Sequence, residues 1–383
     1  MNQNDFSTKF KEISLKQYGQ DAHDIAQDIT EKDNLTVINK DKDEPTTFQF
    51  KDYAIMNVPM DAFCYFAICV IMYFFVTTFW NINRFQDPII ALKPGFTFAT
   101  LTGLLPSVYY FFLLMAIYLL CQKYLIPAAD YVMEDNYKKE CIEKPEMFDF
   151  YRFKIISNFF KMMFYGFTSI IGFYYLKDEL FFPQSLGGRG DLYYFYDQYP
   201  NSFFIEIPSF VDVLYKLNFG YVLFDCYYLF SHKMQSDFLL MFLHHIATIS
   251  LVLISWVANY NLIGVVIFYL HYVGDMFVYF VRLSLYVKTP DRVKVGMSVI
   301  LVLVFIYTRL FVFGRLIIMQ FHNPFPNSGV EILGLCGNLG LMFIHIVWIS
   351  MIIGKQIKYF TGGEISDIIA QRKKILFSFL YFL

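Results

Sequence analysis

Apolar positions in this chain come in long unbroken runs, without the alternation of a strand or the single stripe of a soluble amphipathic helix. Hydropathy marks eight of them, at roughly 61–81, 99–121, 155–176, 209–231, 238–258, 262–286, 296–321 and 332–354. Each is close to or above the ~20 residues that a helix needs to cross a bilayer. The pattern predicts an all-α polytopic membrane bundle of about eight transmembrane helices around a central polar pocket. The fourth run carries Asp212, Lys216 and Asp225, so it fits only as a helix in the bundle interior.

The polar stretches organise the rest. Residues 1–60 alternate Lys with Asp and Glu and read as a cytosolic, largely disordered tail, with a surface helix near Asp5–Tyr18. No apolar stretch follows a basic start, so the first span is expected to act as an internal signal. Residues 61–150 are expected to hold two N-terminal spans and a cytosolic loop, 151–360 the main domain, and 361–383 a cytosolic tail. With a cytosolic amino terminus, about 22 Lys and Arg fall in cytosolic segments and about 4 in lumenal ones. Five more, Lys161, Lys216, Arg282, Arg309 and Arg315, lie inside spans. Dropping one span scrambles that asymmetry, so both termini are expected in the cytosol.

Composition agrees: 57% of the 383 residues are hydrophobic and 17% charged, against about 25% charged in soluble proteins. Cys64, Cys69, Cys121, Cys226 and Cys336 lie in or beside apolar runs, and Cys141 lies in a polar loop. No spacing suggests a zinc site or a disulfide frame.

The candidate chemistry begins with His244 and His245, about one third of the way into the fifth run, where an ionisable side chain is costly without a cavity, a partner or a substrate. His245, Thr248, Val252, Ser255 and Asn259 recur at helical spacing and form one stripe; Gly264, Phe268, His271, Asp275 and Arg282 form another on the sixth run. Only a few residues around Tyr260 and Asn261 join these runs, so the two helices are expected to pack antiparallel with their polar stripes facing. The resulting pocket would hold histidines, a carboxylate and hydroxyls. Side-chain reach permits a pairing of the histidines with Asp275, whose structural alternative is an ion pair with Arg282 or Arg309.

The stretch Asp237–Arg282 resembles the signature motif of ceramide synthases, the sphingosine N-acyltransferases of the TLC domain family. The family pattern reads approximately D-F-x-x-M-x-x-H-H-x-x-T, then S-Y-x-x-N, R-x-G and L-H-D-x-S-D. Asp237-Phe238, Met241, His244-His245 and Thr248 stand in register, followed by Ser255-Trp256, Asn259, Gly264, Leu270-His271 and Asp275. Weaker echoes lie at Lys154–Tyr165, at Tyr307-Thr308-Arg309 and at Met342–Trp348 with His345, so the resemblance covers about 150–360. The chain departs from the pattern at Tyr272, where the family has its first aspartate, and at Gly274, Leu262, Tyr279 and Arg282.

The resemblance implies transfer of a fatty acyl group from acyl-CoA to the amine of a sphingoid base, at the endoplasmic reticulum membrane. In that reading His244 or His245 is base or acyl acceptor. Asp275 orients an imidazole or binds the sphingoid ammonium. His271, Thr248, Ser255, Asn259 and Arg282 hold substrate or support the site. Acyl-CoA is a co-substrate; no metal or other cofactor is expected and no nucleic acid. The partners are acyl-CoA, the sphingoid base and the bilayer, with a homo- or heterodimer left open. The family's acyl-length segment corresponds to the short stretch around His322–Glu331.

Two other classes of function compete with this reading. A TLC protein without acyl transfer, serving lipid sensing, lipid distribution or protein translocation, accords with Tyr272. A di-iron hydroxylase or desaturase needs about eight histidines in spaced boxes, and the chain has seven and no such box.

Overall fold

The computed structural model describes residues 54–55, 58–145, 147–197, 201–231, 238–322 and 329–360. The expected surface helix at Asp5–Tyr18, the loop from His232 with Asp237, most of the stretch after His322 and the tail from 361 lie outside the described residues.

Prolines and polar residues cut the apolar runs into helices. α1 (Met60–Trp80) ends where Thr77 turns its hydroxyl back to the Tyr73 carbonyl at 2.9 Å and Asn81 donates its side-chain amide to the Thr77 carbonyl at 2.8 Å. The chain then bends by 43° into α2 (Ile82–Leu92), which contains Pro88. α3 (Pro106–Tyr124) starts on Pro106, whose missing N–H no helix would use at that position. Two short helices, α4 (Ile126–Val132) and α5 (Asp135–Glu143), lead into the 30-residue α6 (Met147–Leu176). α7 (Ser209–Ser231), α8 (Phe238–Val257) and α9 (Asn261–Ser284) follow. α10 (Asp291–Phe305) continues through a π-helical stretch, Ile306–Val312, into α11 (Phe313–Phe321), and α12 (Gly329–Phe360) closes the series.

The protein is an all-α, multi-pass membrane bundle. Among the described residues, five helical segments are long and apolar enough to span, and a sixth is if α1 and α2 count as one bent span. α6 and α7 occupy the third and fourth expected positions and are long enough, but they fall outside that set. Each carries buried charge, Lys161 on one and Asp225 on the other, and the two side chains pair. α6 starts at Met147 and α10 at Asp291, both earlier than hydropathy places them, because polar first turns there continue the helix beyond the apolar run.

Packing places the site. α6 lies along α9, where Gly172 lets the Tyr269 ring approach. α7 lies against α3 at Gly220, where a Cβ would come within 2.7 Å of the Ser107 carbonyl oxygen. α8 touches α1, α7, α9 and α12, so a polar residue on α8 faces protein on most sides. The α8–α9 turn is tight as expected. Asn259 takes a left-handed conformation (φ 58°), and the Tyr260 N–H returns to the Ser255 carbonyl at 2.7 Å.

At the end of the bundle where α9 meets α10, α4 and α5 pack on the start of α6. Glu134 N–H donates to the Tyr286 carbonyl at 2.9 Å and Lys288 N–H to the Val132 carbonyl at 2.8 Å. Cys141, read from sequence as a loop residue, is buried in this cluster with Met133, Tyr151 and Tyr286.

Candidate functional site

α7, α8, α9 and α12 line a partly open cavity of about 360 Å³. Both polar stripes face it: His244, His245, Thr248 and Ser255 from α8, and Gly264, His271 and Asp275 from α9. Helical periodicity and the short turn produce this juxtaposition, since antiparallel neighbours with matched stripes must bury them together. The same lining reaches Gln320 on α11 and Asn338 on α12. It therefore follows α8 from the histidines toward Tyr260, roughly 20 Å at a rise of ~1.5 Å per residue.

The histidines divide between two polar centres. The His244 ring lies 5.6 Å from that of His245 and 5.2 Å from Trp348, and its Nδ1 has no hydrogen-bond partner among the described residues. His245 is 4% exposed. Its Nε2 also lacks a hydrogen bond and lies 3.8 Å from Asp225 Oδ2 on α7. The other Asp225 oxygen accepts from Lys161 of α6. The Lys161 ammonium sits 4.1 Å over the Tyr228 ring and 3.5 Å from the Tyr279 hydroxyl, so aromatic faces and a hydroxyl share its charge.

The second centre is built on Arg309, which is 1% exposed and carried by the π-helical stretch. Its guanidinium donates to Asp275 Oδ1 at 2.6 Å, to the His271 carbonyl at 2.9 Å and to His345 Nε2 at 2.9 Å. Accepting there makes His345 the Nδ1–H tautomer. His271 Nδ1 donates to the Ile267 carbonyl at 2.7 Å, leaving Nε2 without a partner. Gly274 accounts for the close approach of Arg309: a Cβ there would stand 3.3 Å from the guanidinium Nε. A π-turn shifts the register of the residues it carries, which is why such turns recur at functional sites.

The expected carboxylate partner therefore changes. Asp275 lines the cavity but is bound by Arg309, and the carboxylate beside a histidine of the pair is Asp225. Thr248 lines the cavity with an unpartnered hydroxyl. Ser255 is there too, hydrogen-bonded to the Tyr215 hydroxyl. Asn259 and Arg282 are not on the wall. The left-handed turn takes Asn259 out of helical register, and its side chain donates to the Phe203 carbonyl at 2.6 Å. Arg282 lies two turns beyond Asp275, with its guanidinium 5.4 Å from the Tyr279 ring centre. Tyr272 is on the wall, its ring packed against Tyr165 and Phe164.

Sequence reasoning passed over Asp225, Lys161 and Arg309 as site residues, though each stood out as a charge inside a span. An acid on the fourth run with a base on the third was the signal for a cross-helix pair.

The sequence profile of the TLC domain matches residues 154–354, and every cavity-lining residue named above falls inside that range. The chain belongs to the TLC domain family. Human Ceramide synthase 5 is 30% identical over 145 residues. That match covers 36% of this chain and 36% of the human protein, so the chain matches little more than a third of that relative's length. Within the TLC domain, α6 contributes Lys161, α7 Asp225, α8 the paired histidines and α9 Asp275, and α10–α12 bring Arg309 and His345. The site thus draws on the whole matched region.

Proposed function

We propose that this TLC protein is a ceramide synthase-type enzyme that moves a fatty acyl group from acyl-CoA to the amine of a sphingoid base. The observation that carries the reading is the place of His244 and His245 on the wall of a partly open, mostly apolar cavity inside a membrane bundle. A long acyl chain and a long-chain base both fit such surroundings, and thioester aminolysis needs a base at their junction. In the reaction the amine nitrogen attacks the acyl carbonyl and a C–N bond forms. The imidazole takes the amine proton, the C–S bond breaks, and the leaving thiolate receives that proton to become the CoA thiol. His271 and Thr248 line the same space with polar atoms that have no partner among the described residues, and serve to hold substrate, while Asp275 faces it already bound to Arg309. The endoplasmic reticulum membrane, with both termini cytosolic, is the location that accompanies this activity and the Lys/Arg distribution.

The test is expression in cells without ceramide synthases of their own, with mass-spectrometric detection of N-acyl sphingoid base. The expected result is product from the wild type and a loss of about 100-fold or more in His244→Ala or His245→Ala, the scale of general-base catalysis, at unchanged protein level. Full activity in both variants removes the histidines from the mechanism.

A second reading, a TLC protein that handles lipid without acyl transfer, draws on Tyr272, an aromatic ring on the cavity wall where the resembling motif carries a carboxylate. An inactive wild type that gains activity as Tyr272→Asp would identify a degenerate enzyme.

A further inference from the structure

Among the acidic side chains on the cavity wall, Asp275 is bound by Arg309 within a dense hydrogen-bonded group, while Asp225 keeps one oxygen beside His245. The 3.8 Å between Asp225 Oδ2 and His245 Nε2 is too wide for a direct hydrogen bond and narrow enough for one small polar atom to touch both. His245 Nε2 is a buried polar atom with no partner, which costs free energy unless something supplies the missing bond. The walls beside this gap are aromatic: Tyr165, Tyr221 and Tyr272 line the same cavity, Tyr221 stacks on Phe164 at 3.8 Å between ring centres, and its buried hydroxyl has no hydrogen-bond partner among the described residues.

We infer that Asp225, His245 and Tyr221 form a primary-amine subsite, in which the amine of a long-chain acceptor sits beside the gap in contact with both Asp225 Oδ2 and His245 Nε2, with its alkyl chain along α8. The identity of the acceptor as a sphingoid base rests on the acyltransferase reading; the subsite itself does not. A primary amine has two N–H donors, one for Asp225 Oδ2 and one for a deprotonated His245 Nε2, and keeps its lone pair for attack, whereas an alcohol of equal length offers one donor. Lys161 offsets the charge of Asp225, so the subsite holds the amine without trapping it as a tightly paired ammonium. His245 is then the imidazole within reach of the amine's proton, which separates its role from that of His244, whose ring stands against Trp348 on the far side.

The experiment is equilibrium binding of octadecylamine and 1-octadecanol to the full chain in detergent, without any acyl donor. The wild type is expected to prefer the amine by about tenfold. The double variant Lys161→Met/Asp225→Leu, which removes both charges and strands neither, is expected to bind the alcohol as the wild type does and to lose the amine preference. Tyr221→Phe, which keeps the ion pair and the ring stack, is expected to cut the preference about threefold, and it decides the matter if the double variant no longer binds the alcohol. A wild type without preference, a folded double variant that retains it, or an unchanged preference in Tyr221→Phe overturns the subsite. Amine selectivity in a protein that forms no ceramide would sink the acyltransferase reading and leave the subsite standing. Ceramide formation with unchanged selectivity in the variants would do the reverse.

Discussion

Among the described residues, Arg309 and Asp225 each anchor a buried ionic centre, and the two differ in how completely they are bonded. Around Arg309, one guanidinium ties Asp275, a His271 carbonyl and His345 together, joining α9 to the π-helical stretch and α12. Around Asp225, one oxygen is taken by Lys161 and the other stands off from a histidine nitrogen that has no partner. Inside a membrane protein both arrangements must repay the desolvation of their charges. The first does so with hydrogen bonds already made, which makes it a brace. The second leaves donors and acceptors for something that arrives later, which makes it a place for substrate.

The largest effect that separates the two is expected from Arg309→Met. It strands Asp275, and loss of one partner from a buried pair costs about 3–5 kcal/mol. Arg309→Lys is expected to recover only part of that, since a single ammonium cannot repeat the three-way fork. Thermal unfolding in detergent measures both. If Arg309→Met unfolds at the wild-type temperature, the brace is not a brace.

The sequence made the α8 and α9 stripes legible because helical period and a short turn are local properties. Both polar centres were harder to see because they depend on distant partners. Lys161 and Asp225 are 64 positions apart, Asp275 and Arg309 34, and Arg309 and His345 36. One sequence shows each of these as an isolated charge in an apolar run and leaves the pairing open. Helical period also extended the α8 stripe one residue too far, to Asn259. Period assumes that the helix continues, and a left-handed residue ends it.

Asn259 gives a second, smaller test, on the hairpin that holds the two stripes together. Asn259→Ala loses the bond to the Phe203 carbonyl and puts a residue that tolerates the left-handed region poorly at φ 58°. A cost of about 2 kcal/mol is expected, half of it from the hydrogen bond and half from the backbone. Asn259→Gly keeps the backbone and is expected to lose only the hydrogen-bond share. Equal destabilisation by both variants would remove the backbone contribution.

The smallest effect is expected outside the bundle core, at the ion pair between Asp135 at the start of α5 and Lys288 after α9, 2.7 Å apart. The hydrogen bond from Lys288 holds the Asp135 carboxyl below its ordinary range. A carboxylate so lowered stabilises the folded state at pH values above its unfolded pKa of about 4, and the contribution is lost as pH falls through the lowered value. Both side chains face water, where salt screens such pairs and their net worth is small. Asp135→Asn is therefore expected to lower the unfolding temperature slightly at neutral pH and low salt, and not at all in about 1 M salt or in acid below the carboxylate's lowered pKa. The backbone bonds from Glu134 to Tyr286 and from Lys288 to Val132 hold the same two segments together without that charge. A large or salt-independent loss would mean that the charge pair, and not those backbone bonds, docks α5. An exposed ion pair would then match the buried ones in strength, against everything that burial does to charge in the Arg309 and Asp225 centres.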